Sequence, residues 1–190
     1  QVTVGSSLTL VTADRVGTQA TTGVVSVVFT PATAIPVGGT ITINTPFNYF
    51  ATRAAAAAVG TSSITCATAC ASAAVGNVAV TNTAASGSTA AFGSVTVVVA
   101  TAATTASAIT LSVGTGTFTT GTPQAATTNG IAVSTTQDFA SAGSASQALG
   151  GQVTVGTSLT LVAGDLVGNK ATAGVVSIAF TPVSVIPIGG

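Results

Sequence analysis

The sequence predicts an all-β chain made of antiparallel β-sandwiches repeated in tandem. Three observations predict it. Apolar residues recur with period two in short runs, Gly and Pro collect between those runs, and one 39-residue stretch returns 151 residues later.

The runs can be taken in chain order. Val2, Val4, Leu8 and Leu10 share one parity, with Thr3, Ser7 and Thr9 on the other. Val24 to Phe29 and Val95 to Val99 are more continuously apolar, as in central strands covered on both sides. Ile41 and Ile43 alternate with Thr40, Thr42 and Asn44, and Ile109, Leu111 and Val113 alternate with Thr110 and Ser112. Shorter strands are predicted over Ser63 to Cys66, Val78 to Thr83 and Ile131 to Thr135. Turns fall at Pro31, Pro36 to Gly39, Gly114, Gly116, Gly121 to Pro123 and Gly150 to Gly151. Arg53 to Val59, with five consecutive alanines, predicts a short helical turn on a sheet edge. Asp138 to Gly151, rich in Ser, Ala and Gly, predicts a connection to the next domain. Seven to nine short strands in one unit predict an immunoglobulin-like sandwich, with a β-helix as the runner-up.

The repeat sets the domain organisation. Gln1 to Gly39 aligns with Gln152 to Gly190 without a gap, with 26 of 39 positions identical. An offset of 151 residues is too long for a solenoid coil and suits one independently folding domain. Residues 1–151 are therefore expected to form one complete sandwich, and 152–190 the first strands of a truncated second one, or strands donated to another molecule. Val27 becomes Ile178 and Val37 becomes Ile188, both strand-compatible changes, whereas Arg15 to Leu166 and Gln19 to Lys170 fall in an expected loop.

Composition narrows function. Three Lys or Arg and three Asp or Glu give zero formal net charge, and charged residues are 3% of the chain. Too few cations are present to neutralise phosphates, which excludes nucleic acid and an anionic membrane surface as partners. The mean hydropathy is high, but Ala and Val are interrupted by Thr, Ser and Gly, so no membrane span is expected. An uncharged surface favours association, so the expected partners are copies of the chain itself or a coat of glycans. With 37 Thr and 18 Ser there are many hydroxyls for O-linked sugars, and Thr equally serves as a strand residue. No Asn-x-Ser/Thr sequon occurs, so N-glycans are not expected. The absence of Met and of a signal segment before Gln1 is expected of an internal or processed piece of an extracellular or cell-surface protein.

The stretch Phe29-Thr30-Pro31 through Ile35-Pro36-Val37-Gly38-Gly39-Thr40-Ile41-Thr42-Ile43 returns as Phe180-Thr181-Pro182 through Ile186-Pro187-Ile188-Gly189-Gly190. It resembles the "FTP…IPxGGTITI" element of giant tandem-repeat surface proteins of algae, other protists and bacteria. The resemblance implies an extracellular immunoglobulin-like array and brings no catalytic residues with it.

Groups for catalysis are few. There is no His, and the acids are Asp14, Asp138 and Asp165, the last being Asp14 repeated. A glycosidase pair would need Asp14 and Asp138 to face each other across a cleft, which the spacing does not imply; an Asp capping a turn beside Gly17 and Gly168 is the expected role. Ser and Thr lack a base to activate them, and no phosphate-binding glycine loop is present. Asp138 with Asp165 offers at best a sparse calcium site, so no metal or cofactor is expected. Cys66 and Cys70 have too few companions for zinc and no charged neighbour to lower a thiol pKa, and are expected to form a local disulfide that staples a loop. Phe47, Tyr49 and Phe50 follow Pro46 and either plug the core or form a contact cluster for a sugar ring, a neighbouring domain or a subunit.

The expected function is a structural repeat of an extracellular filament or cell-surface fibre, not an enzyme, self-associating through Thr/Val/Ala-rich surfaces with strand donation as one route. The alternative is an adhesin stalk or carbohydrate-binding module. Ice binding is a third reading, from Thr-x-Thr sequences such as Thr40 to Thr42.

Overall fold

The computed structural model describes residues 1–4, 8–67, 73–150, 154–155, 161–166, 168–169 and 171–181. The chain divides into two units, Gln1–Gly150 and Gly151–Gly190.

The first unit holds β1 (Thr3–Val4), β2 (Val25–Thr30), β3 (Thr40–Pro46), β4 (Arg53–Ala57), β5 (Ser63–Cys66), β6 (Ala73–Thr83), β7 (Phe92–Val99), β8 (Ile109–Val113) and β9 (Ala132–Thr135). Every described ladder is antiparallel, which excludes the parallel coils of a β-helix for these residues. One sheet runs β1-β2-β8-β5-β6 and the other β6-β7-β3-β9, with β4 also on β6. The long strand β6 belongs to both. Its Ala73 and Ala74 pair with β5, while Val75 to Thr83 pair with β7, with a register shift between Val75 and Val78 where the strand bends from one sheet to the other. The Val2 amide donates to the Phe139 carbonyl at 3.1 Å and draws the outer edges together, so the two sheets form a nearly closed, barrel-like sandwich.

The core follows the period-two pattern. Val25, Val27 and Phe29 of β2 are buried and face Val113, Leu111 and Ile109 of β8, and Ile41 and Ile43 of β3 lie between Val97 and Val95 of β7 and Val133 of β9. The turn at Pro36 to Gly39 forms as expected, with Gly38 at φ +81°, a conformation in which a Cβ is strained, and the Gly39 amide donating to the Pro36 carbonyl at 2.9 Å.

Three expectations are corrected. Arg53 to Val59 is not helical: Arg53–Ala57 is the edge strand β4, paired with β6. Five alanines are too few to nucleate a helix, and alanine's preference amounts to a fraction of a kcal/mol per residue, whereas the edge of β6 offers ladder hydrogen bonds. The β2 and β7 strands alternate buried and half-buried residues, so they bury one face only. Ser and Thr among the valines mark the outer face. Asp138 to Gly150 is not a free connection. The amides of Ser141, Ser144, Ser146 and Leu149 donate to Val133, Ile131, Thr127 and Gln124 at 2.7–2.9 Å, and Ser141, Ser146 and Leu149 are buried. Small residues suit this close backbone stitching as well as they suit a linker.

In the second unit β10 (Thr154–Val155) pairs with β11 (Phe180–Thr181). Thr154 faces Thr181 and Val155 faces Phe180, the counterparts at +151 of Thr3 facing Thr30 and Val4 facing Phe29. A 3-10 turn follows at Ala163–Asp165, as at Thr12–Asp14 in the first unit. No described helix is long and apolar enough to cross a membrane.

Candidate functional site

The four charged side chains of the first unit set its surface chemistry, because each is turned onto the chain's own backbone. Asp14 ends the 3-10 turn, 2% exposed. Its Oδ1 accepts hydrogen bonds from the Thr22 amide and hydroxyl, both at 2.7 Å, and its Oδ2 from the Gly23 amide at 2.8 Å. Burial disfavours the charged form, but the bonds from Thr22 and Gly23 outweigh it and hold the carboxyl below its ordinary value. Asp138 accepts from the Thr33 amide at 3.0 Å and hydroxyl at 3.2 Å. The Arg53 guanidinium donates to the carbonyls of Ala56 at 3.1 Å, Ala57 at 2.8 Å and Val78, clamping the edge strand β4. Arg15 reaches the Leu10 carbonyl at 3.5 Å, and its buried Nε has no partner among the described residues.

The carboxylates are thus turn caps. Asp14 caps Thr22 and Gly23 in place of the expected turn beside Gly17, and Asp165 repeats this with the amides of Ala173 and Gly174, both at 2.9 Å. Asp14 and Asp138 bind separate backbone segments, and Asp138 and Asp165 belong to separate units, each held locally.

With charge withdrawn, the outer faces are hydroxyl-rich. On one sheet Ser26, Ser112 and Ser63 stand in register across β2, β8 and β5; on the other Ser134, Thr42 and Thr96 do so across β9, β3 and β7.

The structure does not bring the three aromatic candidates to one surface. Tyr49 and Phe50 are buried, whereas Phe47 is 37% exposed. The chain turns at Pro46 to Tyr49, with the Tyr49 amide donating to the Pro46 carbonyl, and carries the next two rings inward. There Phe50 stacks on Phe118 with centroids 4.6 Å apart and meets Tyr49 edge-on at 5.1 Å. The Tyr49 hydroxyl makes no hydrogen bond of normal geometry among the described residues. Burial pushes its pKa up to about 12, and the nearby Gln147 backbone and Arg15 charge offset only part of that. Phe47 instead lines an open groove of about 530 Å³ with Asn44, Pro46, Phe92, Thr128 and Asn129.

Cys66 ends β5, half-buried; Cys70 lies outside the described residues.

Several structural latches escape the sequence reading. Thr117 accepts from the Val59 amide and donates to the Val59 carbonyl, both at 2.8 Å; Thr120 accepts from the Gln19 amide at 3.0 Å and donates to the Val16 carbonyl at 2.5 Å. The Gln147 Oε1 accepts from the Leu10 amide at 2.8 Å. In a chain so rich in Thr, nothing in the local sequence separates these from strand threonines.

Compared with family models, curated proteins and solved structures, the chain matches none.

Proposed function

We propose that the chain is a structural repeat unit of an extracellular filament or cell-surface fibre, with immunoglobulin-like sandwiches in tandem that associate through uncharged surfaces. The observation that carries this reading is the commitment of all four charged side chains of the first unit to its own backbone. Two Ser/Thr-faced sheets then offer little free charge to keep copies apart, Arg53 on the edge strand β4 being the exception. The second unit's repetition of the first hairpin and turn supports the tandem arrangement. The extracellular setting rests on the resemblance of the FTP…IPxGG element and on a Cys66–Cys70 disulfide, consistent with the absence of a free thiol among the described residues. O-linked sugars on the hydroxyl faces belong to the same proposal. Negative-stain electron microscopy of native material at neutral pH tests it. Filaments with a regular axial repeat are expected, and dispersed single beads overturn it.

A second reading, an adhesin stalk or carbohydrate-binding module, is favoured by the groove beside Phe47 and Phe92, where rings and the Asn44 and Asn129 amides suit a neutral sugar. It predicts glycan-array binding that Phe47→Ala abolishes without unfolding the protein.

A further inference from the structure

Asn129 stands exposed in the turn that leads into β9, and its side chain makes no hydrogen bond among the described residues. The residue after it is Gly130, the one place in the chain where a glycine follows an asparagine. The Gly130 amide also has no partner among the described residues, although the turn is anchored on both sides. The Ser146 amide donates to the Thr127 carbonyl at 2.9 Å, and the Ile131 amide to the Ser144 carbonyl at 3.0 Å. An unpaired carboxamide therefore lies next to an unpaired backbone amide that carries no Cβ to shield it.

The other asparagines lack this combination. Asn44, Asn77 and Asn82 lie within strands and are followed by the branched side chains of Thr45, Val78 and Thr83. The Asn82 side chain is further tied to the Asn48 amide and the Phe50 carbonyl, both at 2.9 Å. The Tyr49 amide, which follows Asn48, donates to the Pro46 carbonyl at 3.1 Å. Asn169 is followed by Lys170, whose side chain stands beside the nitrogen that would have to react.

We propose that Asn129 and Gly130 form a self-modification site whose product places a lone carboxylate in the groove beside Phe47. The Gly130 nitrogen, losing its proton to water, attacks the Asn129 side-chain carbonyl carbon. The new C–N bond closes a succinimide ring, the bond to the side-chain nitrogen breaks, and ammonia leaves. Water then opens the ring at one carbonyl or the other, giving aspartate or isoaspartate at 129. The residues lining the groove include neither Lys nor Arg, so the product carboxylate, ionised at neutral pH, has no cation beside it. Isoaspartate also lengthens the backbone where there is little room, since a Cβ at Gly143 would already meet the Asn129 Cβ and carbonyl at 2.9 Å. The conversion stands on the chemistry of the turn alone. Its consequence rests on the fibre reading above, under which a charge at this groove opposes association.

The test incubates the full chain at neutral and at mildly alkaline pH and follows it by peptide mass spectrometry, with fragmentation that distinguishes isoaspartate from aspartate. Loss of the side-chain amide at 129 is expected, with both products and a rate that rises with pH, while the other asparagines keep their amides. An amide at 129 that persists in the folded chain overturns the proposal, and its loss in urea alone would assign the failure to the anchored turn. Conversion of another asparagine ahead of 129 overturns it as well. Asn129→Ser removes the carboxamide and should abolish the conversion in that peptide; a mass gain that survives the substitution contradicts the assignment. Sedimentation of Asn129→Asp, which carries the product charge from the start, separates this proposal from the fibre reading. Smaller assemblies than wild type support the consequence, and assemblies of unchanged size overturn the consequence while a measured conversion stands. A wild-type chain that never assembles overturns the fibre reading and leaves the conversion intact.

Discussion

Residues 1–39 and 152–190 are nearly the same peptide in two surroundings. In both, a strand at the start pairs with a strand near residue 30 or 181, and an aspartate closes the turn between them. Yet Val27 is 2% exposed and Ile178 64%. Hairpin register and turn are thus encoded within the segment, by an Asp that satisfies two amides eight and nine residues on. Burial is not, because in the first unit it is supplied by β8, about 80 residues away in sequence.

The largest expected break in the comparison is Val27→Asp, which buries an unpaired charge and should cost more than about 4 kcal/mol, unfolding the first unit. Ile178→Asp, its counterpart, should change first-unit unfolding in urea by less than about 0.5 kcal/mol.

Next comes alkaline pH, which should act on the first unit through Tyr49, the only tyrosine in the chain. With its folded pKa raised to about 12, the neutral phenol stabilises the fold fully below the ordinary tyrosine value near 10 and progressively less as pH rises toward 12. The span is about 3 kcal/mol. Tyr49→Phe should remove this loss in chemical denaturation followed across that range.

Asp14→Ala should cost about 2 kcal/mol in the same assay by leaving the Thr22 and Gly23 amides without partners, against less than about 0.5 kcal/mol for Asp165→Ala. Because the Asp14 carboxyl is held low, its contribution is present above the ordinary carboxylate pKa and should fade as pH drops through the lowered value. The variant should lack that acid limb.

The smallest effects come from grafting second-segment residues into the first. Val27→Ile should stabilise by roughly 0.5 kcal/mol by extending into a small apolar void that Val27 borders with Leu8, Phe50, Leu111 and Phe118, and Arg15→Leu should be neutral or stabilising by up to about 1 kcal/mol. A loss of more than that in either would mean that the first unit does not accept the residues that its repeat carries at these positions.

The sandwich was legible in the sequence wherever one face of a strand is apolar. Ile109 to Val113 and Ser63 to Cys66 form strands with the bounds their alternation predicts. It was illegible where tertiary pairing overrides local preference. The alanines of β4 carry no strand signal and are held by an open edge of β6 and an arginine clamp, while the Ser/Ala/Gly stretch after Asp138 is ordered by amides meeting carbonyls that no residue pattern announces. The charge-free surface could be counted from composition; that Asp14, Asp138 and Arg53 are each turned onto backbone could not, because their partners are main-chain atoms. The aromatic run gave its position but not its division, which depends on the turn that leaves Phe47 outside and takes Tyr49 and Phe50 in.

Sedimentation velocity at rising protein concentration tests the central claim, association through uncharged faces, most directly. Assemblies that grow with concentration and persist on adding salt are predicted. A single species of unchanged size at every concentration would contradict the account.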